Sequence, residues 1–493
     1  MKNYVALVLI ALVLFSCKND EDFEIEFDAD AKTIISGNVS NVDALGIDKL
    51  TVYTYDYLAT DYQEFSADIN ADGSFKLEVP LTSPAELTVV GNAPFNILAI
   101  PGDSIHVTYT AVDVDSLRSK TNYKFTGDRS VVNERLVAYK AQFPLDVQPF
   151  YESEEETATA DFLSYVSKSQ KTLEDFNAKF IQDSDEPVLK NYIKAQEKYY
   201  LPTTLLDFAN YRSYYDFEAP DADGEYYTFL DNVPELKTTD LVNTGTVQRL
   251  IYNLTYRLRS EARATAGAEM DDDAMDVKAI ELAAAQKEKG LLYDYVIHDL
   301  AYGSFADHNL IVYEKSKELI SKSITNAAIK KSVIDRYNDE KRLLDSPELP
   351  KEAELLTFKS DDPENYLDEI VANANGKVIY IDNWATWCGP CKVEFKNASP
   401  QLHEKFKDDV EFIYLCHNSE RAAYIPSIAQ FQIKGKHYFL EDKASSVIAS
   451  QINLEGFPTY TIFNKEGEMV QSDYIHRPSY PETTEILTKL INE

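Results

Sequence analysis

Three periods of apolar residues succeed one another along the chain. From about Lys32 to Gly127, apolar and polar positions alternate in short runs, among them Thr33–Val39, Leu50–Tyr57, Phe75–Val79, Leu87–Val90, Ile97–Ile100 and Ile105–Tyr109. A period of two puts successive side chains on opposite faces, so each run predicts a half-buried strand. Asn70-Ala71-Asp72-Gly73 and Pro101-Gly102-Asp103-Ser104 carry turn chemistry between runs. Strands at this spacing predict an all-β sandwich over residues 32–128, with about seven or eight strands. His106 alternates with Ile105 and Val107 and reads as a strand-face residue rather than a ligand.

The period lengthens over residues 129–345. Asp161–Lys179, Glu186–Lys198, Val277–Lys289 and Val312–Leu344 have helical spacing. They predict a central α-helical region, a bundle or array of about seven to ten helices without a fixed repeat. Aromatic residues are frequent here, including Tyr199, Tyr200, Phe208, Tyr211, Tyr214 and Tyr215. Core packing is the expectation for tyrosines at this spacing, with a glycan or peptide groove as the alternative. Asp271-Asp272-Asp273 lacks a second ligand group in sequence and reads as a loop or helix start. Ser346-Pro347-Glu348-Leu349-Pro350 cannot continue a helix, because proline lacks the donor and restricts its predecessor. The last boundary is expected there, with a third domain at 350–493.

The extreme N-terminus follows neither pattern. Lys2 precedes an unbroken apolar run from Tyr4 to Phe15, too short to span a bilayer, which takes about 20 residues. Residues 1–16 therefore read as a signal peptide. Leu14-Phe15-Ser16-Cys17 resembles the lipobox of bacterial lipoproteins, which implies cleavage before Cys17 and its acylation, a durable membrane anchor. Residues 17–31 read as an acidic tether. Its Asp20-Glu21-Asp22 run resembles the export signal of surface lipoproteins in Bacteroidota, and the outer membrane is the expected location.

Charge removes one class of partner. Forty-eight Lys and Arg against 83 Asp and Glu give a net charge of −35. With the acidity spread along the chain, the surface repels phosphate backbones, so no nucleic-acid partner is expected. Four cysteines, Cys17, Cys388, Cys391 and Cys416, are too few for a disulfide scaffold.

Two of those cysteines carry the chemistry. Lys377–Trp384 is a β-rich run of the buried-strand kind, leading into Ala385-Thr386-Trp387-Cys388-Gly389-Pro390-Cys391-Lys392 and then a helical pattern through Lys396, Leu402 and Phe406. Free N–H groups at a helix start stabilise the Cys388 thiolate, the form that attacks disulfides. Two intervening residues bring Cys391 within reach to resolve a mixed disulfide. A zinc site would need a matching second pair, and a c-type haem would need His where Lys392 stands, so no metal is expected. Cys416 ends an apolar run and reads as a small buried hydrophobe.

Asp382–Lys392, DNWATWCGPCK, resembles the thioredoxin active site, and the exported setting resembles the TlpA/ResA-like branch. The likeness covers about residues 352–493 and implies a C-terminal α/β thioredoxin-like fold. Residues 32–128 resemble a β-rich domain of unknown function found ahead of such modules in Bacteroidota lipoproteins. Glu455-Gly456-Phe457-Pro458-Thr459 resembles the family's cis-proline loop, which implies that Phe457 and Pro458 receive the substrate backbone. Asp382 stands where thioredoxins keep a buried aspartate, and Glu394 where TlpA/ResA-like proteins keep a glutamate. The likeness therefore gives both of them proton handling. Trp387 is expected to shield Cys388, with Gly389 and Pro390 beside it, and Trp384 to belong to the core. Gly389-Pro390 is the dipeptide of reducing thioredoxins; an oxidant or isomerase is the alternative direction. The chain is thus expected to be a multidomain, lipid-anchored envelope oxidoreductase whose only redox group is the Cys388/Cys391 pair. Its expected partners are client disulfides or thiols, a redox partner, and the membrane through Cys17.

Overall fold

A computed structural model describes residues 23–91, 94–112, 123–147, 159–182, 184–215, 217, 219–220, 225–266, 271–286 and 290–493. The signal run, Cys17 and the acidic residues up to Asp22 lie outside them. Contacts divide the chain into two units, one ending at Tyr302 but including Lys315–Val333, the other comprising Gly303–Glu314 and Ile334–Glu493. The boundary expected at Ser346–Pro350 therefore falls inside the second unit.

In the first unit, β1 (Thr33–Ser40), β4 (Ser74–Val79), β7 (Ser104–Thr110) and β8 (Lys124–Gly127) form one sheet in the order β4-β1-β7-β8. A second sheet, β3-β2-β5-β6, is made of β2 (Lys49–Asp56), β3 (Asp61–Asp68), β5 (Ala85–Val90) and β6 (Pro94–Ala99). The alternation read from the sequence is the alternation of burial: Ile35, Val39, Leu50, Val52, Leu77, Val79, Ile105 and Val107 share one core. β1 runs antiparallel to β4 and parallel to β7. Gly37 makes that pairing fit, since a Cβ there would lie 1.9 Å from the Val107 carbonyl oxygen. His106 sits on a strand face with Nδ1 3.1 Å from Ser36 Oγ.

Helices then cover the sandwich. Asn133, on the helix Ser130–Ala141, accepts from Leu98 N at 2.7 Å and donates to Leu98 O at 3.2 Å, satisfying backbone groups of edge strand β6. Leu98 and Ile100 share a core with Val132, Leu136, Val188 and Leu189. The block expected at 186–198 continues as one helix, Pro187–Tyr214, with Pro202 inside it. The block expected at 312–344 is two helices, Ile311–Ser323 and Ala327–Asp345. Buried Asp294 explains the break. Its carboxylate accepts from Thr325 N, Thr325 Oγ1 and Asn326 N at 2.8–3.1 Å, replacing helical hydrogen bonds. Asp271 caps the helix Asp272–Ala285 by accepting from Ala274 N at 2.7 Å. Most aromatics pack inward, Tyr199 and Phe208 fully buried, whereas Tyr214 and Tyr215 are exposed. Phe23, inside the expected tether, lies under the Lys190 and Lys194 ammonium groups at 4.9 and 4.5 Å.

The second unit is built on a six-stranded sheet, β14-β13-β10-β11-β12-β9. Its strands are β9 (Ala353–Leu356), β10 (Val378–Trp384), β11 (Val410–Cys416), β12 (Gly435–Phe439), β13 (Thr459–Phe463) and β14 (Met469–Asp473). β10 is buried along its whole length, parallel to β11 and antiparallel to β13. Separate apolar clusters cover the two faces, one around Trp384, Phe395 and Tyr424, the other around Ile379, Ile381 and Ile448. A central strand buried on both sides reads as a continuous apolar run, as this one does. The helical pattern expected through Phe406 is interrupted: Gly389–Asn397 and Ser399–Phe406 are separate helices. Pro400, in the first turn of the second, cannot donate back to the first.

Candidate active site

β10 ends at Trp384, and four residues later Cys388 is the N-cap of the helix Gly389–Asn397. Pro390 in the first turn fits a position where the N–H has no helical partner anyway. Cys388 and Cys391 are disulfide-bonded, with Cα atoms 5.3 Å apart. Cys391 N donates to Cys388 Sγ at 3.1 Å. That backbone donor and the helix N-terminus both favour negative charge on the Cys388 sulfur once the bond is opened. Cys388 is only 3% exposed and Cys391 fully buried, while Gly389 and Pro390 are exposed beside them.

Trp387 precedes Cys388 in the chain, and Phe457 packs against the core cluster that contains both cysteines. Trp387 is 52% exposed, donates from Nε1 to Asn418 O at 2.7 Å, and meets the Phe457 ring edge-on at 5.6 Å. The Phe457–Pro458 peptide bond is cis, and Thr459, the next residue, begins β13 beside β10. Trp384 is entirely buried in the core.

The two carboxyls differ. Asp382, on β10, is 1% exposed and its Oδ1 has no hydrogen-bond partner. Burial, reinforced by the Glu394 charge, pushes its pKa well above the usual carboxyl range. Glu394, one turn after Cys391, is buried and accepts from Ser479 N at 3.0 Å and Ser479 Oγ at 2.7 Å. Asp382 is therefore suited to holding a proton, and Glu394 is held in place. Burial raises the Cys416 thiol to about 12, which keeps it protonated and unreactive. No cluster of His, Cys, Asp and Glu able to hold a metal occurs among the described residues.

Residues 375–469 match the model of a family described as thioredoxin-like. This part of the chain is a thioredoxin-like domain. Over 97 residues it is 28% identical to the thiol-disulfide oxidoreductase ResA of Bacillus cereus, covering 20% of this chain and 54% of that protein. Over 43 residues it is 54% identical to a thioredoxin of Coprinus comatus, covering 8% of this chain and 36% of that one. The chain thus spans about half the length of the first relative and about a third of the second. Among solved structures it is similar to the thioredoxin domain of a thiol-disulfide oxidoreductase from Bacteroides vulgatus, at 17% identity, covering 24% of this chain and 83% of that one, with a TM-score of 0.22.

The structure brings Cys388, Cys391, Trp387, Gly389, Pro390, Phe457, Pro458, Asp382 and Glu394 into the thioredoxin-like domain; Cys17 lies outside the described residues. Sequence reasoning missed three features of its unit. Ser479, 85 residues beyond Glu394, had no signal at all. His417 was passed over beside Cys416, yet it is fully buried and bonded on both ring nitrogens. His308 was not singled out because it lies in the helical segment. Its Nδ1 is 2.6 Å from Glu340 Oε2 and its Nε2 3.1 Å from Ser427 Oγ. This resembles a nucleophile triad, but Ser427 is fully buried in the interior of the helix Arg421–Phe431 and offers no face to a substrate. The group instead ties the segment Gly303–Glu314 to the domain, as does Lys392 Nζ donating to Ala306 O at 2.7 Å.

Proposed function

We propose that the chain is a thiol–disulfide oxidoreductase of the cell envelope, anchored by lipid on Cys17, that reduces disulfides of client proteins. One observation carries the reading: a bonded Cys388–Cys391 pair at a helix N-terminus, in the same unit as the cis Phe457–Pro458 bond and flanked by Trp387. In the dithiol form, the Cys388 thiolate attacks one sulfur of a client disulfide and expels the other as a thiolate, leaving a mixed disulfide. Cys391 loses its proton and attacks Cys388 Sγ, which releases the client as a dithiol and restores the intramolecular bond. Two electrons pass to the client, and a partner dithiol of the envelope returns them. A carboxyl with the raised proton affinity of Asp382 takes the Cys391 proton and gives it back in the reverse step. Exposed Gly389, Pro390 and Trp387 and the Phe457–Pro458 backbone receive the client chain. Among the described residues no helix is long and apolar enough to cross a membrane, and the lipid on Cys17 supplies the attachment.

Substituting Cys391→Ala stops the reaction at the mixed disulfide. Non-reducing electrophoresis of envelope proteins should then show adducts that collapse with dithiothreitol. Absence of adducts, with Cys388 intact and alkylatable, refutes the reading. A second reading, a glycan- or peptide-binding lipoprotein with an auxiliary redox module, is favoured by a cavity of about 360 Å³ in the first unit, walled by Tyr139, Phe143, Tyr192 and Tyr200 beside the Glu86–Lys140 pair. Insulin reduction with dithiothreitol as electron source tests the first reading, which requires activity that is lost on Cys388→Ser; the second requires no such activity.

A further inference from the structure

We propose that His417 is the positioning residue of the exchange site, bracing the Trp387 roof against the Phe457–Pro458 wall so that the client chain meets a groove of fixed width. The inference rests on the oxidoreductase reading above. His417 follows the last residue of β11 and its N donates to Trp384 O at 2.8 Å, which anchors its backbone to the end of β10, four residues before Cys388. One side of the ring faces the proline loop. Asn383 Nδ2 donates to Thr459 O at 3.0 Å and Thr461 Oγ1 at 3.2 Å, leaving its Oδ1 to face His417 Nε2 at 3.2 Å. Nε2 is therefore the protonated nitrogen. The other side faces the roof. The single hydroxyl hydrogen of Ser445 lies between two acceptors, His417 Nδ1 at 3.0 Å and Asn418 Oδ1 at 2.9 Å, and Asn418 O accepts the Trp387 indole N–H. Ser419 adds a parallel strut, donating to His417 O at 2.6 Å and accepting from Thr386 N at 3.0 Å. The ring also lies 5.5 Å from the Phe457 ring. Polar contacts thus run from Thr459, just after the cis peptide, through Asn383, His417 and Ser445 to the Asn418 residue that holds the Trp387 indole. Burial lowers the His417 pKa to about 4, so the ring stays neutral, with one donor and one acceptor to place.

The hydrogen bonds named here do not involve the reacting sulfurs. Loosening them widens the range of groove geometries and raises the ordering cost of binding a client, with less effect on sulfur transfer within a bound complex. The test uses the full chain, insulin as substrate, dithiothreitol as electron source, and separate kcat and KM values. His417→Leu keeps volume and removes both polar contacts; about a tenfold rise in KM with kcat within about twofold is expected. His417→Gln offers one donor and one acceptor again and should restore KM to within about twofold of the wild type. Ser445→Ala cuts only the arm towards Trp387 and should raise KM about threefold. Should His417→Leu fail to fold, Ser445→Ala and His417→Gln decide. Unchanged KM in Ser445→Ala, or a fall in kcat with KM unchanged, overturns the brace while leaving the oxidoreductase reading intact. An inactive wild type overturns both.

Discussion

Asp382→Asn tests whether the buried acid carries a proton in the folded domain. The substitution preserves shape and removes the titration. Asp382 is 1% exposed, with burial first and Glu394 second in raising its pKa well above the usual value. A raised native pKa means the folded state binds more protons than the unfolded state at intermediate pH. The acid then costs nothing below its unfolded pKa of about 3.9, and folding stability falls as pH rises, until the native pKa is passed. The slope follows from linkage: about 1.4 kcal/mol for each pH unit over that window. An amide left short of a partner in the same site adds a pH-independent offset of about 1–3 kcal/mol, so the slope rather than the level is the readout. Both tryptophans of the chain, Trp384 and Trp387, lie in the thioredoxin-like domain. Urea unfolding followed by tryptophan fluorescence between pH 4.5 and 7.5 therefore reports that domain within the intact protein. The stability difference, variant minus wild type, should grow in favour of the variant by up to about 1.4 kcal/mol per unit from about pH 4 until the native pKa is passed. Parallel curves for the two proteins would show that Asp382 is ionised in the fold, and the proton-relay role would go with them.

Two further predictions address the scaffold. Cys416, fully buried with its thiol raised to about 12, should resist iodoacetamide in the native oxidised protein and react once the domain is unfolded in urea; mass spectrometry of the Cys416 peptide reads the difference, and rapid native labelling refutes its burial. Gly37→Ala drives a methyl group against the Val107 carbonyl and the Phe75 ring. It should lower stability by about 1–3 kcal/mol or more, read as an earlier urea midpoint in far-ultraviolet circular dichroism; an unchanged midpoint contradicts the parallel pairing of β1 with β7.

What the sequence revealed was local. Period-two burial in β1, the unbroken apolar run of β10, and the Cys388-to-Cys391 spacing each depend on neighbours a few residues apart. The Phe457–Pro458 loop was legible because its motif is short. What stayed hidden depends on partners distant in sequence. Asp294 breaks a helical pattern 31 residues downstream. Glu394 finds Ser479 across 85 residues, and His417 finds Asn383 across 34. Pro400 was visible, but a Pro in the first turn of a new helix and one terminating an old helix look alike until the backbone is traced. The two-unit division was hidden for the same reason, since His308 reaches Ser427 across 119 residues.

That last link bears on how the molecule can be dissected. A fragment cut at Pro350 is the obvious way to isolate the redox chemistry, as if it were one bead on a string. Such excision removes both His308 and Glu340, takes the His308 partner from the Ser427 hydroxyl, and uncovers the surface that Gly303–Glu314 now occupies. A potential or rate measured on that piece would describe a damaged protein, so the smallest faithful preparation must begin upstream of Gly303.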